Sequence, residues 1–174
     1  MPECDIDAGL IKQAQEKVFR LTEQLKKHSL TLALAESCTA GLISALLACR
    51  EGASAFLWGC YVCYTKEAKA AMLGLDKNEL DAHGLVSRET ACLMANGALQ
   101  KSGADMAASV TGLAGPDGDG SDVPVGTVWI ATALKSGGIE AREFYFKDAS
   151  SRNEVRFLAA IAVLDALLKS LSGE

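Results

Sequence analysis

Residues 31–49 place the strongest constraint on what this chain can fold into. Thr31-Leu32-Ala33-Leu34-Ala35-Glu36 is a short apolar run and reads as a buried strand. Ser37-Cys38-Thr39-Ala40-Gly41 is a tight polar turn, and Leu42 to Cys49 reads as a helix. Strand, turn and helix follow with no spacer. A strand buried on both faces belongs in a sheet that helices cover.

The rest of the chain extends this alternation. Ile6 to His28 reads as a helix, with Leu10, Ala14, Val18, Leu21 and Leu25 at spacings of four and three. Ala55 to Tyr64 reads as a second strand, followed by a short helix from Lys66 to Leu73. His83 falls beside Gly84 in a loop. Ser87 caps a helix from Arg88 to Gln100, with Glu89 in its first turn. Met106 to Thr111 is a third strand. Gly126–Leu134 and Ile139–Lys147 read as a hairpin across Lys135-Ser136-Gly137-Gly138. A last helix starts at Ser151 with a capping box to Glu154, and its core stripe is Phe157, Ile161, Leu164, Leu168 and Leu171. The pattern predicts a single α/β domain over residues 1–174, a three-layer α/β/α arrangement with a mixed sheet.

Composition narrows the function classes. With 49% hydrophobic and 22% charged residues the chain is globular. A net charge of -5 and a pI near 5.1 argue against nucleic acid as partner. The cluster Lys26-Lys27-His28 suits the negative end of a helix dipole. Met1-Pro2-Glu3-Cys4-Asp5-Ile6-Asp7 has neither the basic nor the apolar region of a signal peptide, and no apolar run approaches the ~18 residues of a membrane span. A cytoplasmic protein with no membrane contact is expected. The six cysteines are Cys4, Cys38, Cys49, Cys60, Cys63 and Cys92, and reduced thiols are the default in such a chain. Cys60 and Cys63 lie three apart on a strand, which points them to opposite faces and argues against a redox pair.

Ligands of α/β sheets collect at the carboxyl ends of strands. That makes Ser37, Tyr64 and the stretch Thr111 to Gly115 candidate neighbours. Ser37 admits two readings: a helix N-cap, or a nucleophile. A Gly-x-Ser-x-Gly elbow is absent, and neither His28 nor His83 is placed to act as base. Lysine is then the natural base for the serine, and Lys69 lies five residues past Tyr64, in the short helix that begins just after the second strand. An unperturbed lysine is neutral in only about one molecule in 2,500 at pH 7, so a base at this position has to be desolvated. Its alternative is a solvated helix lysine. The glycine-rich loop 112–120 can form an anion nest or a plain flexible turn. It is not a Walker A loop, and Asp117, Asp119 and Asp122 do not complete an EF-hand.

Several blocks stand together in one order: Ala35-Glu36-Ser37-Cys38-Thr39-Ala40-Gly41, Tyr64-Thr65-Lys66-Glu67-Ala68-Lys69, Gly84-Leu85-Val86-Ser87, Val110-Thr111-Gly112-Leu113-Ala114-Gly115-Pro116-Asp117-Gly118 and Pro124-Val125-Gly126-Thr127-Val128. With these the chain resembles the C-terminal domain family of the competence- and damage-inducible protein CinA, which includes stand-alone nicotinamide-nucleotide amidases. The resemblance implies hydrolysis of nicotinamide mononucleotide to nicotinate mononucleotide and ammonia. It matches Ser37 to the nucleophile, Tyr64 and Lys69 to the groups that activate it, and Arg152 to an arginine before the last helix. Glu36, Thr39, Ala40, Gly41, Thr111, Gly112 and Gly115 are the expected lining of the substrate site. Two departures stand out: Ala40 where many relatives carry a glycine, and Lys66 where a neutral polar residue is usual. The chemistry calls for no metal and no cofactor. The expected partner is the small nucleotide substrate, with room left for a homo-oligomer. The alternative function is a nucleotide- or protein-binding module of the same fold without turnover.

Overall fold

The computed structural model describes residues 6–172. Cys4 and most of the stretch read for an export signal lie outside them. Helix α1, Ala8–Lys27, is opened by Asp7, whose carboxylate accepts from the Leu10 N–H at 3.2 Å. Of its predicted stripe, Ala14, Val18, Leu21 and Leu25 are buried, while Leu10 in the first turn is only half-buried. Strand β1, Leu32–Glu36, runs through the turn into α2, Leu42–Ala48. A 3-10 turn, Ala53–Ala55, precedes β2, Leu57–Val62. The second strand is thus shorter than its apolar run. Helices α3, Lys66–Leu73, and α5, Arg88–Ser102, flank a further short helix, α4, Lys77–His83. His83 therefore ends a helix rather than sitting in a loop. Asp76 caps α4 by accepting from the Asn78 N–H at 2.8 Å, and only Leu80 buries, so its apolar pattern is too sparse to register as a helix.

Strands β3, Met106–Gly112, β4, Thr127–Leu134, and β5, Ile139–Tyr145, complete one sheet in the order β2-β1-β3-β4-β5. β1 pairs parallel with β2 and β3, while β4 and β5 are antiparallel. The sheet is mixed, as the alternation with a terminal hairpin predicts. Helix α6, Arg152–Ser172, packs with α1 and α2 on one face. There Leu21, Leu25, Leu34, Ile43, Phe56, Ile130 and Leu164 form the larger core. The α5 face is built from small residues: Ala91, Ala95 and Ala98 meet Ala33, Ala35, Ala107 and Ala131. Short side chains let α5 approach the sheet closely, and the apolar area removed from water contributes roughly 25 cal/mol per Å². Cys60 belongs with the first core and Cys63 with the second, so they lie on opposite faces of the sheet as expected. Burial raises the thiols of Cys38 and Cys63 to about 11. None of the described residues forms a helix long and apolar enough to cross a membrane.

The start of α6 corrects one sequence expectation. The Ser151 hydroxyl does accept from the Glu154 N–H at 3.2 Å. The reciprocal arm of the capping box does not reach Ser151. The Glu154 carboxylate turns to Ser150 instead, accepting from its N–H at 2.7 Å and its hydroxyl at 2.6 Å.

Candidate active site

The register of the parallel strands brings three chain segments together. Glu36 at the end of β1 lies between Val62 of β2 and Val110 of β3. The Ser37 N–H extends the ladder to the Val110 carbonyl at 3.0 Å, and the Cys63 N–H bonds the Glu36 carbonyl at 2.9 Å. Ser37, Tyr64 and Thr111 therefore follow three adjacent strand ends.

Lys69 returns from the first turn of α3 to meet Ser37. Thr65 caps that helix by accepting from the Ala68 N–H, which sets the rotation that turns Lys69 inward. Lys69 is 1% exposed, against 7% for Ser37. Its Nζ lies 2.8 Å from Ser37 Oγ and 3.1 Å from the Cys63 carbonyl oxygen. No carboxylate pairs with it among the described residues. Desolvation lowers its pKa from the ordinary lysine value. The solvated-lysine alternative belongs to Lys66 instead, which is ion-paired with Asp81 at 2.8 Å on the surface.

Ser37 is not the helix cap that its position suggests. Gly41 holds the cap position of α2, and the capping acceptor is Glu36. The fully buried Glu36 carboxylate accepts from the Thr39 hydroxyl at 2.7 Å and from the N–H groups of Gly41, Ile43 and Ser44 at 2.9, 3.2 and 2.9 Å. Cys60 Sγ stands 3.4 Å from its other edge. A carboxylate supplied with this many donors at a helix start is electrostatically at home. It leaves Glu36, Thr39 and Gly41 with the task of shaping the turn. The N–H groups of Cys38 and Thr39, by contrast, meet no acceptor oxygen among the described residues. They are the free donors next to Ser37.

The turn closes through two left-handed residues, Ala40 at φ +52° and Gly41 at φ +89°. This explains why a glycine suits position 40 in the resembling sequences. An alanine there costs roughly 1–2 kcal/mol. Ala40→Gly is expected to relieve that strain against about 0.5–1 kcal/mol of added chain entropy. The net gain of up to ~1 kcal/mol corresponds to a melting temperature about 1–4 °C higher. A thermal melt checks this, and a lower melting temperature for the variant contradicts it.

The remaining expected residues fall into two groups. Thr111 is buried and its hydroxyl donates to the Leu85 carbonyl at 2.7 Å, tying β3 to the segment that leads into α5. Gly112 has no room for a side chain: a Cβ there would stand 2.6 Å from the Thr127 carbonyl oxygen. Arg152, at the start of α6, donates to the Gly115 carbonyl at 2.6 Å and to the Tyr64 hydroxyl. It thus clamps the glycine-rich loop to the β2–α3 turn. Tyr64 is half exposed, and no hydrogen bond joins it to Ser37 or Lys69. One residue escaped sequence reasoning. Arg156 donates to the Thr39 carbonyl at 2.9 Å and to Asn153 at 3.1 Å, bracing the Ser37 turn from α6. Its signal was the spacing of four from Arg152, which puts both arginines on one helix face. No cluster of groups suited to a metal ion occurs among the described residues.

A family model for the CinA C-terminal domain matches residues 14–171. The chain belongs to the CinA C-terminal domain family. It is 40% identical over 165 residues to a CinA-like protein of Geobacter metallireducens, covering 95% of this chain and 38% of that protein. A CinA-like protein of Mycobacterium tuberculosis is 42% identical over 142 residues, 82% of this chain and 33% of its own length. The chain thus spans well under half of these relatives. Solved structures match it nearly end to end. The competence/damage inducible protein CihA of Agrobacterium tumefaciens superimposes with a TM-score of 0.87 at 38% identity, covering 92% of this chain and 96% of that one. A CinA superfamily protein of Escherichia coli gives 0.86 at 30% identity, covering 95% and 94%. The CinA-family fold is the α/β sandwich expected from the strand and helix pattern.

Proposed function

We propose that this CinA-family domain is an amidohydrolase that converts nicotinamide mononucleotide to nicotinate mononucleotide and ammonia. The observation that carries the reading is the buried contact of 2.8 Å between Lys69 Nζ and Ser37 Oγ. A lysine with a lowered pKa and no counter-ion is a costly thing to bury in a module that only binds. In an acyl-transfer site it is the base that serine lacks.

The amine of neutral Lys69 accepts the Ser37 proton on its lone pair while still donating to the Cys63 carbonyl. Ser37 Oγ adds to the carboxamide carbon, and the N–H groups of Cys38 and Thr39 donate to the oxygen that becomes negative. Lys69 returns the proton to the nitrogen, the C–N bond breaks, and ammonia departs from a Ser37 ester. Water, deprotonated by the same amine, adds to the ester carbon. The C–Oγ bond then breaks, releasing the carboxylic acid and restoring the Ser37 hydroxyl. Tyr64, anchored by Arg152 at the mouth of the site, assists as a second proton carrier. No step draws on a metal or cofactor.

The direct test is ammonia release from nicotinamide mononucleotide by the purified chain, with nicotinate mononucleotide as the matched product. Binding without turnover supports the binding-module alternative. Arg152 supplies a second test. In this proposal it exchanges Gly115 or Tyr64 for the substrate phosphate, which a guanidinium grips with two donors. Arg152→Ala is expected to raise KM by roughly tenfold or more, the effect of losing about 1.4 kcal/mol or more of binding, with a smaller change in kcat. An unchanged KM in steady-state kinetics removes Arg152 from substrate binding.

A further inference from the structure

The turn after β1 carries a chain of hydrogen bonds that begins outside it. Arg156 Nη2 donates to the Thr39 carbonyl at 2.9 Å. The N–H of that same peptide group belongs to Ala40, and it donates to the Ser37 carbonyl at 3.0 Å. The N–H of the Ser37 peptide group belongs in turn to Cys38. It is one of the two donors beside Ser37 that meet no acceptor oxygen among the described residues. A guanidinium on α6 is thus joined through two peptide groups to a free N–H beside the nucleophile.

Such a chain transmits polarity as well as position. A carbonyl that accepts a hydrogen bond makes the N–H of its own peptide group a stronger donor, and successive bonds reinforce one another. The first link has an ionised donor, which makes it roughly twice as strong as a neutral bond. The guanidinium is not spent on a counter-ion: no carboxylate pairs with Arg156 among the described residues, and its other contact is the neutral Asn153 side-chain oxygen at 3.1 Å.

The link is not needed to satisfy the turn. The Thr39 carbonyl also accepts from the Leu42 N–H at 3.2 Å. The buried Thr39 side chain is held separately, its hydroxyl donating to Glu36 at 2.7 Å. With both polar groups of Thr39 already anchored, a cation brought to its carbonyl from α6 adds polarity and aim to the turn.

We infer that Arg156 is a positioning residue for the oxyanion: through the Thr39 and Ser37 carbonyls it orients and strengthens the Cys38 N–H as donor to the substrate oxygen that becomes negative. Arg156 touches no reacting atom. The inference rests on the proposed acyl transfer at Ser37 but not on the identity of the nucleotide.

Arg156→Met removes the donor and keeps an apolar stem. With nicotinamide mononucleotide it is expected to lower kcat by about tenfold and to change KM by less than about threefold, the reverse of the Arg152→Ala signature. The loss is a fraction of the roughly 10²–10³-fold cost of deleting an oxyanion donor outright. Arg156→Lys restores a cationic donor and is expected to recover most of the rate. A thermal melt shows that each variant is folded. A second readout separates aim from bracing. Acylation of Ser37 by p-nitrophenyl acetate, followed as p-nitrophenolate release above the Ser37→Ala background, is compared with acylation by the thiono analogue. Sulfur accepts hydrogen bonds less well than oxygen, so the ratio of the two rates reports on the oxyanion donors, which a mere brace leaves alone. The oxygen preference is expected to fall severalfold in Arg156→Met and to return in Arg156→Lys. An unchanged ratio, a loss confined to KM, or a lysine variant no better than the methionine one overturns the inference. A parent that releases no ammonia but acylates at Ser37 with an Arg156-dependent ratio overturns the nucleotide reading and upholds this one. A parent whose Ser37 does not acylate overturns both.

Discussion

Ser37→Ala is expected to abolish ammonia release and leave the fold in place. Among the described residues Ser37 Oγ has one side-chain hydrogen-bond partner, Lys69, and it takes no part in capping α2, a task that belongs to Glu36. Removing the hydroxyl leaves Lys69 its bond to the Cys63 carbonyl, so the cost to stability is about 1 kcal/mol. The cost to the reaction is of another order, because the acyl-enzyme route is closed. A fall on the order of 10³-fold or more is expected, about 4 kcal/mol of barrier. Steady-state kinetics beside a thermal melt separates the two effects. Activity within about tenfold of the parent, ~1.4 kcal/mol, removes Ser37 as nucleophile.

Replacing Lys69 is expected to lower kcat by about 10²–10⁴-fold, as the loss of a general base does. Lys69→Arg keeps the charge but stays protonated, so it is expected to be nearly as damaging as Lys69→Ala. Lys66→Ala, on the exposed side of the same helix, is the mild control. In the parent, kcat/KM is expected to rise with pH as the free enzyme's Lys69 ammonium loses its proton, then to level off. Stability follows the same group. Folding lowers the Lys69 pKa below its ordinary 10.5, so between the two values the unfolded chain binds more protons than the folded one. Stability therefore rises with pH across that window. The penalty vanishes above 10.5 and is fully present below the lowered value. Lys69→Met removes the buried amine and keeps a similar volume. It is expected to be inactive, to be no less stable than the parent at neutral pH, and to lose this part of the pH slope. A Lys69→Arg variant with near-normal kcat shows that charge alone suffices, and Lys69 is then not the base. A Lys69→Met variant that keeps the parent's pH slope of stability places the titration elsewhere.

Local pattern determined much of the architecture. Period-2 and period-3.6 spacing and turn chemistry act over a few residues, so they survive in the linear chain. The run Thr31 to Glu36, the stripe of α1, the Ser87 cap and the β4–β5 hairpin all took the form their residues predicted. So did the placement of Ser37, Tyr64 and Thr111 at strand ends. What was missed was weak in local signal: α4 buries only Leu80, and β2 stops short of the apolar run that contains it.

The division of labour inside the site depended on contacts between residues far apart in the chain. Sequence offered Ser37 as cap or nucleophile and Lys69 as solvated cation or base. The β1–β2 register and the rotation of α3 bring the two together, burying the amine against Ser37 and Cys63. The burial that lowers the Lys69 pKa comes from packing around the side chain, not from its neighbours in sequence. Glu36, expected at the site, also caps α2, because the turn folds its backbone N–H groups back onto the carboxylate. Arg152 and Arg156 reach Gly115, Tyr64 and Thr39 only because α6 lies across the ends of β1 and β3. Spacing along the chain specifies which face a residue occupies, and the tertiary structure alone determines what that face meets.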